Sequence, residues 1–230
     1  MTSIRKIHVT DGDQELKTLL TAWIKAVERY SALFDHEDNC WWYNERATLS
    51  SLAGAAWLLD DWIALEEFST KKRANPKNDC VESGQLKLGR CDLFISNPDT
   101  SFAIEAKQAW QSFGSKADGI SYAHKAMKAA WDDSGCLQKD EAGRRFAATF
   151  IVPSISCNEV RGDNGSGLSQ EKLLSRLETW LAAGGDFIRP GGKETSYAYV
   201  FPGIGNESFS IKQRHFPGVV LVLEERFRAV

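Results

Sequence analysis

The sequence predicts an α/β protein, a mixed sheet flanked by helices. Three observations carry this. Long stretches repeat apolar residues at helical spacing, two apolar runs flank an Asn97-Pro98-Asp99 turn as in a hairpin, and further short apolar runs recur between the later helices. Apolar residues make up 43% of the 230-residue chain and charged residues 26%, the balance of an ordinary globular protein rather than a disordered or fibrous one.

The first helix is expected over residues 16–34, where Leu16, Leu19, Leu20, Trp23, Ala26, Val27 and Tyr30 share one face. A polar break at 35–39 precedes a longer helix, expected over 42–66, with Leu49, Leu52, Ala56, Leu59 and Ile63 as its stripe. Residues 69–84 are polar, contain Pro76 and read as a loop with short strand pieces. Strands are expected over 86–96 and 101–108, joined by the Asn97-Pro98-Asp99 turn. A helix over 117–133 carries Ile120, Ala123, Met127, Ala130 and Trp131 on one side, and 145–154 reads as a buried strand. Residues 159–167 read as a loop. A helix over 168–183 stops at Gly184-Gly185, and late strands are expected at 196–201 and 219–225.

Lys and Arg number 28 against 31 Asp and Glu, a formal charge of −3, so bulk charge does not hold this chain on DNA or an anionic membrane. The richest apolar stretch, 52–65, is interrupted by Asp60 and Asp61 and falls short of the ~20 residues a membrane helix needs. No signal peptide is visible. Five cysteines, with no C-x-x-C spacing, read as reduced thiols in a cytoplasmic protein.

The chemistry concentrates in Gly89-Arg90-Cys91-Asp92-Leu93 and Ile104-Glu105-Ala106-Lys107. Side chains alternate along a strand, so Glu105 and Lys107 share a face while Phe102, Ile104 and Ala106 face the core. If the two strands are neighbours, Asp92 lies beside Glu105. Two carboxylates a few ångströms apart repel unless a cation lies between them, and a hard divalent ion such as Mg²⁺ takes oxygen ligands. Lys107 adds positive charge at the edge. Glu45 continues the apolar stripe of the second helix, where a carboxylate is costly unless paired or metal-bound.

Glu45, then Asp92, then Glu105-Ala106-Lys107 resembles the PD-(D/E)xK nuclease superfamily, with its restriction-endonuclease-like fold. The Gly89-Arg90-Cys91-Asp92-Leu93 run and the order of elements around it match, although Cys91 stands where the name-giving Pro would be. The resemblance covers about 41–154 of a single expected domain, leaving a helix at 14–34 and an extension at 155–230 as additions. It implies a metal-dependent phosphodiester hydrolase acting on DNA or RNA. Asp92, Glu105 and Glu45 would hold Mg²⁺ or Mn²⁺, with the Ala106 carbonyl as a further ligand. Lys107 would orient or deprotonate the attacking water, and a near cation could shift it below its free value. Its partners would be nucleic acid, a second copy to cut two strands, or a recruiting protein; specificity would come from a partner or from the additions.

Each residue also has a plainer reading. Asp92, Glu105 and Lys107 could form a surface ion-pair cluster of little worth. Gln108 suits a phosphate or base contact, or simply a polar strand end. Lys125 and Lys128, one turn apart, fit substrate phosphates or a solvated helix face. His124 fits a core position better than a catalytic one. Trp41 and Trp42 suit packing before base stacking. The Gly162–Gly167 loop lacks the Lys and Ser/Thr of a P-loop. The alternative function is a catalytically inactive nuclease-like protein with a binding or regulatory role.

Overall fold

The computed structural model describes residues 3–73, 85–163 and 167–228. Strand β1 (Ile4–His8) leads through a tight turn into helix α1 (Gln14–Leu33). Asp13 caps α1 by accepting the Leu16 N–H at 3.0 Å. Helix α2 (Glu45–Trp57) is capped in the same way by Asn44, which accepts from Ala47. Then follow β2 (Ile63–Arg73), β3 (Leu86–Ser96), β4 (Ser101–Ser112), α3 (Ser121–Ser134) and β5 (Arg144–Ser156). The chain ends with α4 (Gln170–Gly184), β6 (Thr195–Phe201), a small hairpin of β7 (Ser210–Ile211) and β8 (Arg214–His215), and β9 (Val219–Arg228).

The main sheet runs β1-β6-β9-β5-β4-β3-β2. Among the described residues only β4 and β5 are parallel, and they are joined by the crossover helix α3, as a parallel pair requires. The other neighbours along that path are antiparallel. On one face α1 and α2 bury Leu19, Trp23, Leu49 and Leu52 against Phe102, Ile104, Phe150 and Leu221. On the other, α3 and α4 bury Ala123, Met127, Leu173 and Trp180 against Ile151, Tyr197 and Val222. The result is a mixed sheet between two helical layers. β5, covered on both sides, is an almost unbroken apolar run, which is what a doubly covered strand requires.

The second helix is shorter than its sequence suggests. It ends at Trp57, and a turn with Asp61 at φ 62° starts the edge strand β2. The spacing predicts a helical stripe through Leu59 and Ile63, but Ile63 is exposed and Ala64 buried, the alternation of a strand. The expected loop at 69–84 is strand as far as Arg73, and its remainder lies outside the described residues. Residues 155–230, read as an extension, supply β6 and β9, and β9 pairs directly with β5. Strand β1 was not anticipated. Among the described residues no helix is long and apolar enough to cross a membrane, and Cys40, Cys91 and Cys157 are free thiols.

Candidate active site

The site forms where two ladders fail. β3 pairs with β4 only from Leu93↔Ile104 to Ser96↔Ser101 and then diverges, while β4 stays paired with β5 along Phe102–Ser112. The edge of β4 that faces β3 is therefore open beyond Ile104. On the other side of β3, Glu66 pairs with Leu93 and Phe68 with Cys91, passing over Glu67 and Asp92. Glu67 sits at φ 53°, a left-handed conformation rare for a residue with a side chain. The pleat shifts here too. Leu93 and Ile95 pack with the α1–α2 core, whereas Cys91 joins Phe68, Phe94 and Ala103 in a small separate cluster. Irregularities of this kind re-aim side chains.

Buried backbone donors must find partners, and the open edge of β4 finds carboxylates. The Ala106 N–H donates to Asp92 Oδ2 at 2.9 Å. Two residues on, the Gln108 N–H donates to Glu45 Oε2 at 3.2 Å. Glu45 thus reaches from the first turn of α2 to the open edge of β4. The Gln108 side chain approaches the Thr48 hydroxyl at 3.4 Å on the same side.

Glu105 and Lys107 project from the opposite face of β4, toward α3. Glu105 is 2% exposed, and its Oε1 lies 2.7 Å from Lys72 Nζ. Burial first and the charge of Asp92 second push its carboxyl up to about 8, with Lys72 opposing. Glu45 is raised as well, by burial and then by Asp92, against the pull of Lys107. Lys107 Nζ donates to the Ala106 carbonyl at 3.0 Å and pairs with Asp133 of α3 at 2.8 Å. Burial tends to lower the Lys107 pKa, but Asp133, Glu45 and Asp92 outweigh it and raise it. The downward shift expected of Lys107 belongs to a cleft that holds a cation; without one, the three carboxyl groups of Asp133, Glu45 and Asp92 set the direction. A lysine held protonated stabilises negative charge rather than abstracting a proton.

The structure therefore brings Glu45, Asp92, Glu105 and Lys107 together electrostatically, each acting on at least one of the others. Lys72 and Asp133 join them, and the sequence reading missed both. Asp133 had a signal, since an acid in the last turn of a helix opposes the macrodipole unless a cation meets it. Lys72 had none, because it lay in a stretch read as loop. Lys128 is bound to Asp132 one turn along α3, at 2.5 Å, and Lys125 is exposed on the same helix. His124 is half-buried, its pKa lowered by burial, consistent with a packing position.

The donor chemistry suits a hard cation: three carboxylates and the Ala106 carbonyl. Two of its donor oxygens are already occupied from within, by one ammonium on Glu105 and another on the Ala106 oxygen. Among the described residues no three acidic, His or Cys side chains stand close enough to form a metal-ligand group as placed. Four carboxyl groups (Glu45, Asp92, Glu105, Asp133) face two ammonium groups (Lys72, Lys107), a formal deficit of two positive charges when all are ionised. Comparison with protein-family models, curated proteins and solved structures returned no match.

Proposed function

We propose that this chain is a metal-dependent nuclease of the PD-(D/E)xK kind, with a restriction-endonuclease-like core, hydrolysing phosphodiester bonds in DNA or RNA. The observation that carries the reading is the charge deficit in a half-buried cleft, where uncompensated carboxylates are costly and a divalent cation reduces the deficit. Asp92, Glu105 and the Ala106 carbonyl would hold Mg²⁺ or Mn²⁺, with Glu45 reaching it directly or through a water. A bound ion of this type lowers the pKa of water and neutralises phosphate oxygens.

The chain's own groups divide the remaining work. Lys107, kept protonated by Asp133, places positive charge beside β4 where a phosphorane would develop negative charge. Asp133 is a positioning residue for that ammonium. The open edge of β4 gives a substrate strand access to the cleft, with Gln108 on its floor. Lys125 extends positive charge along α3, while Lys128 first has to leave Asp132.

The test is cleavage of labelled duplex DNA, single-stranded DNA and RNA with Mg²⁺ or Mn²⁺. Wild type is expected to cut at least one of them, and Asp92→Asn and Lys107→Met to lose at least about a hundredfold in rate. Equal cleavage by wild type and both variants would overturn the assignment.

One observation favours the second reading, a nuclease-like binding or regulatory protein. Asp92 and Glu45 already serve as caps for backbone N–H groups, and Lys72 and Lys107 already neutralise the other oxygens. Under that reading Mn²⁺ titration is silent. Under the nuclease reading it shows a site that Glu105→Gln removes.

A further inference from the structure

We propose that Lys72 is a displaceable internal cation: its ammonium holds the place at Glu105 that a divalent ion takes, so ion binding and release of the β2–β3 arm are one equilibrium. This rests on the nuclease reading and adds a residue that the resemblance does not supply.

Lys72 belongs to β2, and β3 lies between β2 and β4. In a regular sheet, two strand spacings of about 4.8 Å each separate a β2 residue from β4. Lys72 nevertheless reaches Glu105 at 2.7 Å, with the two side chains only 16% and 3% exposed. It does so because the ladders break at Glu67 and Asp92, and the end of β2 runs beside the residues that follow α3, where Lys72 bridges Leu137. Gly89, on the partner strand, leaves room for the lysine stem: a Cβ there would lie 3.0 Å from Lys72 Cδ. The arm is tied down there by the Arg73 N–H on the Cys136 carbonyl (2.8 Å), the Gln138 amide on the Lys71 carbonyl (3.0 Å) and a contact between Thr70 and Glu141.

With Lys72 seated, two negative charges of the four carboxylates stay uncompensated; a divalent ion in its place leaves one. A divalent ion at Glu105 neutralises the acids better, but it cannot share the Oε1 face with Lys72. When the ion enters, Lys72 leaves, and the arm that carries it loosens over the cleft. A purely structural ion pair makes the opposite forecast, because removing Lys72 would then disorder the site and weaken ion binding.

The test uses the whole chain and MnCl₂ as probe. By titration calorimetry, Lys72→Met is expected to bind Mn²⁺ about tenfold or more tightly than wild type, and Lys72→Arg to stay within a few-fold of wild type. Glu105→Gln is expected to abolish binding in either background. On wild type itself, hydrogen exchange of a peptide carrying residues 69–73 is expected to speed up when Mn²⁺ is added, a readout that stands even if Lys72→Met fails to fold. Unchanged or weaker binding by folded Lys72→Met, or exchange that stays constant or slows with Mn²⁺, overturns the proposal. If wild type still binds Mn²⁺ through Glu105, the nuclease reading survives that result. Absence of Mn²⁺ binding in every form overturns both.

Discussion

Replacing Glu105 by Gln should remove a specific pH dependence from the stability of the protein. Burial and Asp92 raise this carboxyl from 4.5 to about 8 in the folded chain. The folded state then binds the proton more tightly than the unfolded state. Its stabilising contribution is full below about pH 4.5, declines as pH rises through about 8, and is constant above that. At about 1.4 kcal/mol per tenfold change in proton affinity, the whole decline amounts to at most about 5 kcal/mol. Glutamine fills nearly the same volume and does not titrate. Urea unfolding at intervals from pH 5 to pH 9, without divalent ions, gives the stability of both proteins. Wild type minus Glu105→Gln should fall steadily across this window by up to about 5 kcal/mol. The attraction of Lys72 acts on the ionised carboxylate and already enters the value of about 8. A difference that stays flat from pH 5 to pH 9, or rises, would refute the claim that burial governs this carboxyl.

The remaining predictions concern the site and its frame. Asp92→Asn and Lys107→Met should each lower cleavage at least about a hundredfold while leaving the circular dichroism spectrum unchanged. Mn²⁺ binding at pH 7 should release protons, because the Glu105 carboxyl is raised to about 8 and must ionise to serve as a ligand; calorimetry in two buffers of different ionisation enthalpy measures this, and the release should vanish at pH 9. Gly218→Ala should destabilise by several kcal/mol or prevent soluble expression, since the added Cβ would lie 2.1 Å from the Val200 carbonyl oxygen, on the backbone of the neighbouring strand. Thermal melting of the variant is the check.

Much of the frame was readable because periodicity reports burial directly. The stripe of α1 and the hairpin around Asn97-Pro98-Asp99 required nothing beyond local rules. The end of α2 was not readable, because Leu59 and Ile63 fit a helical spacing and the Asp61 turn has no glycine to announce it. β1 was hidden for a different reason. Ile4–His8 is short and partly charged, and it becomes a strand only by pairing with β6 some two hundred residues away.

At the site, the alternation of Glu105 and Lys107 along the strand was legible, as was the position of Glu45 on the inner stripe of its helix. The open edge of β4 was not legible, since it arises from a paired irregularity at Glu67 and Asp92 in two strands, neither of which is marked by Gly or Pro at that point. Lys72 followed from that irregularity and was invisible with it. The Asp132-Asp133 pair at the end of α3 was legible in principle, as acids at the wrong end of a helix dipole, with Lys128 and Lys107 as the compensating cations.

The most direct measurement is a crystal of the whole chain soaked in MnCl₂, with anomalous scattering recorded. The account predicts an anomalous peak in contact with carboxylate oxygens of both Asp92 and Glu105 and with the Ala106 carbonyl, and Lys72 withdrawn from Glu105. A map with no peak in the cleft and Lys72 still seated 2.7 Å from Glu105 would contradict it.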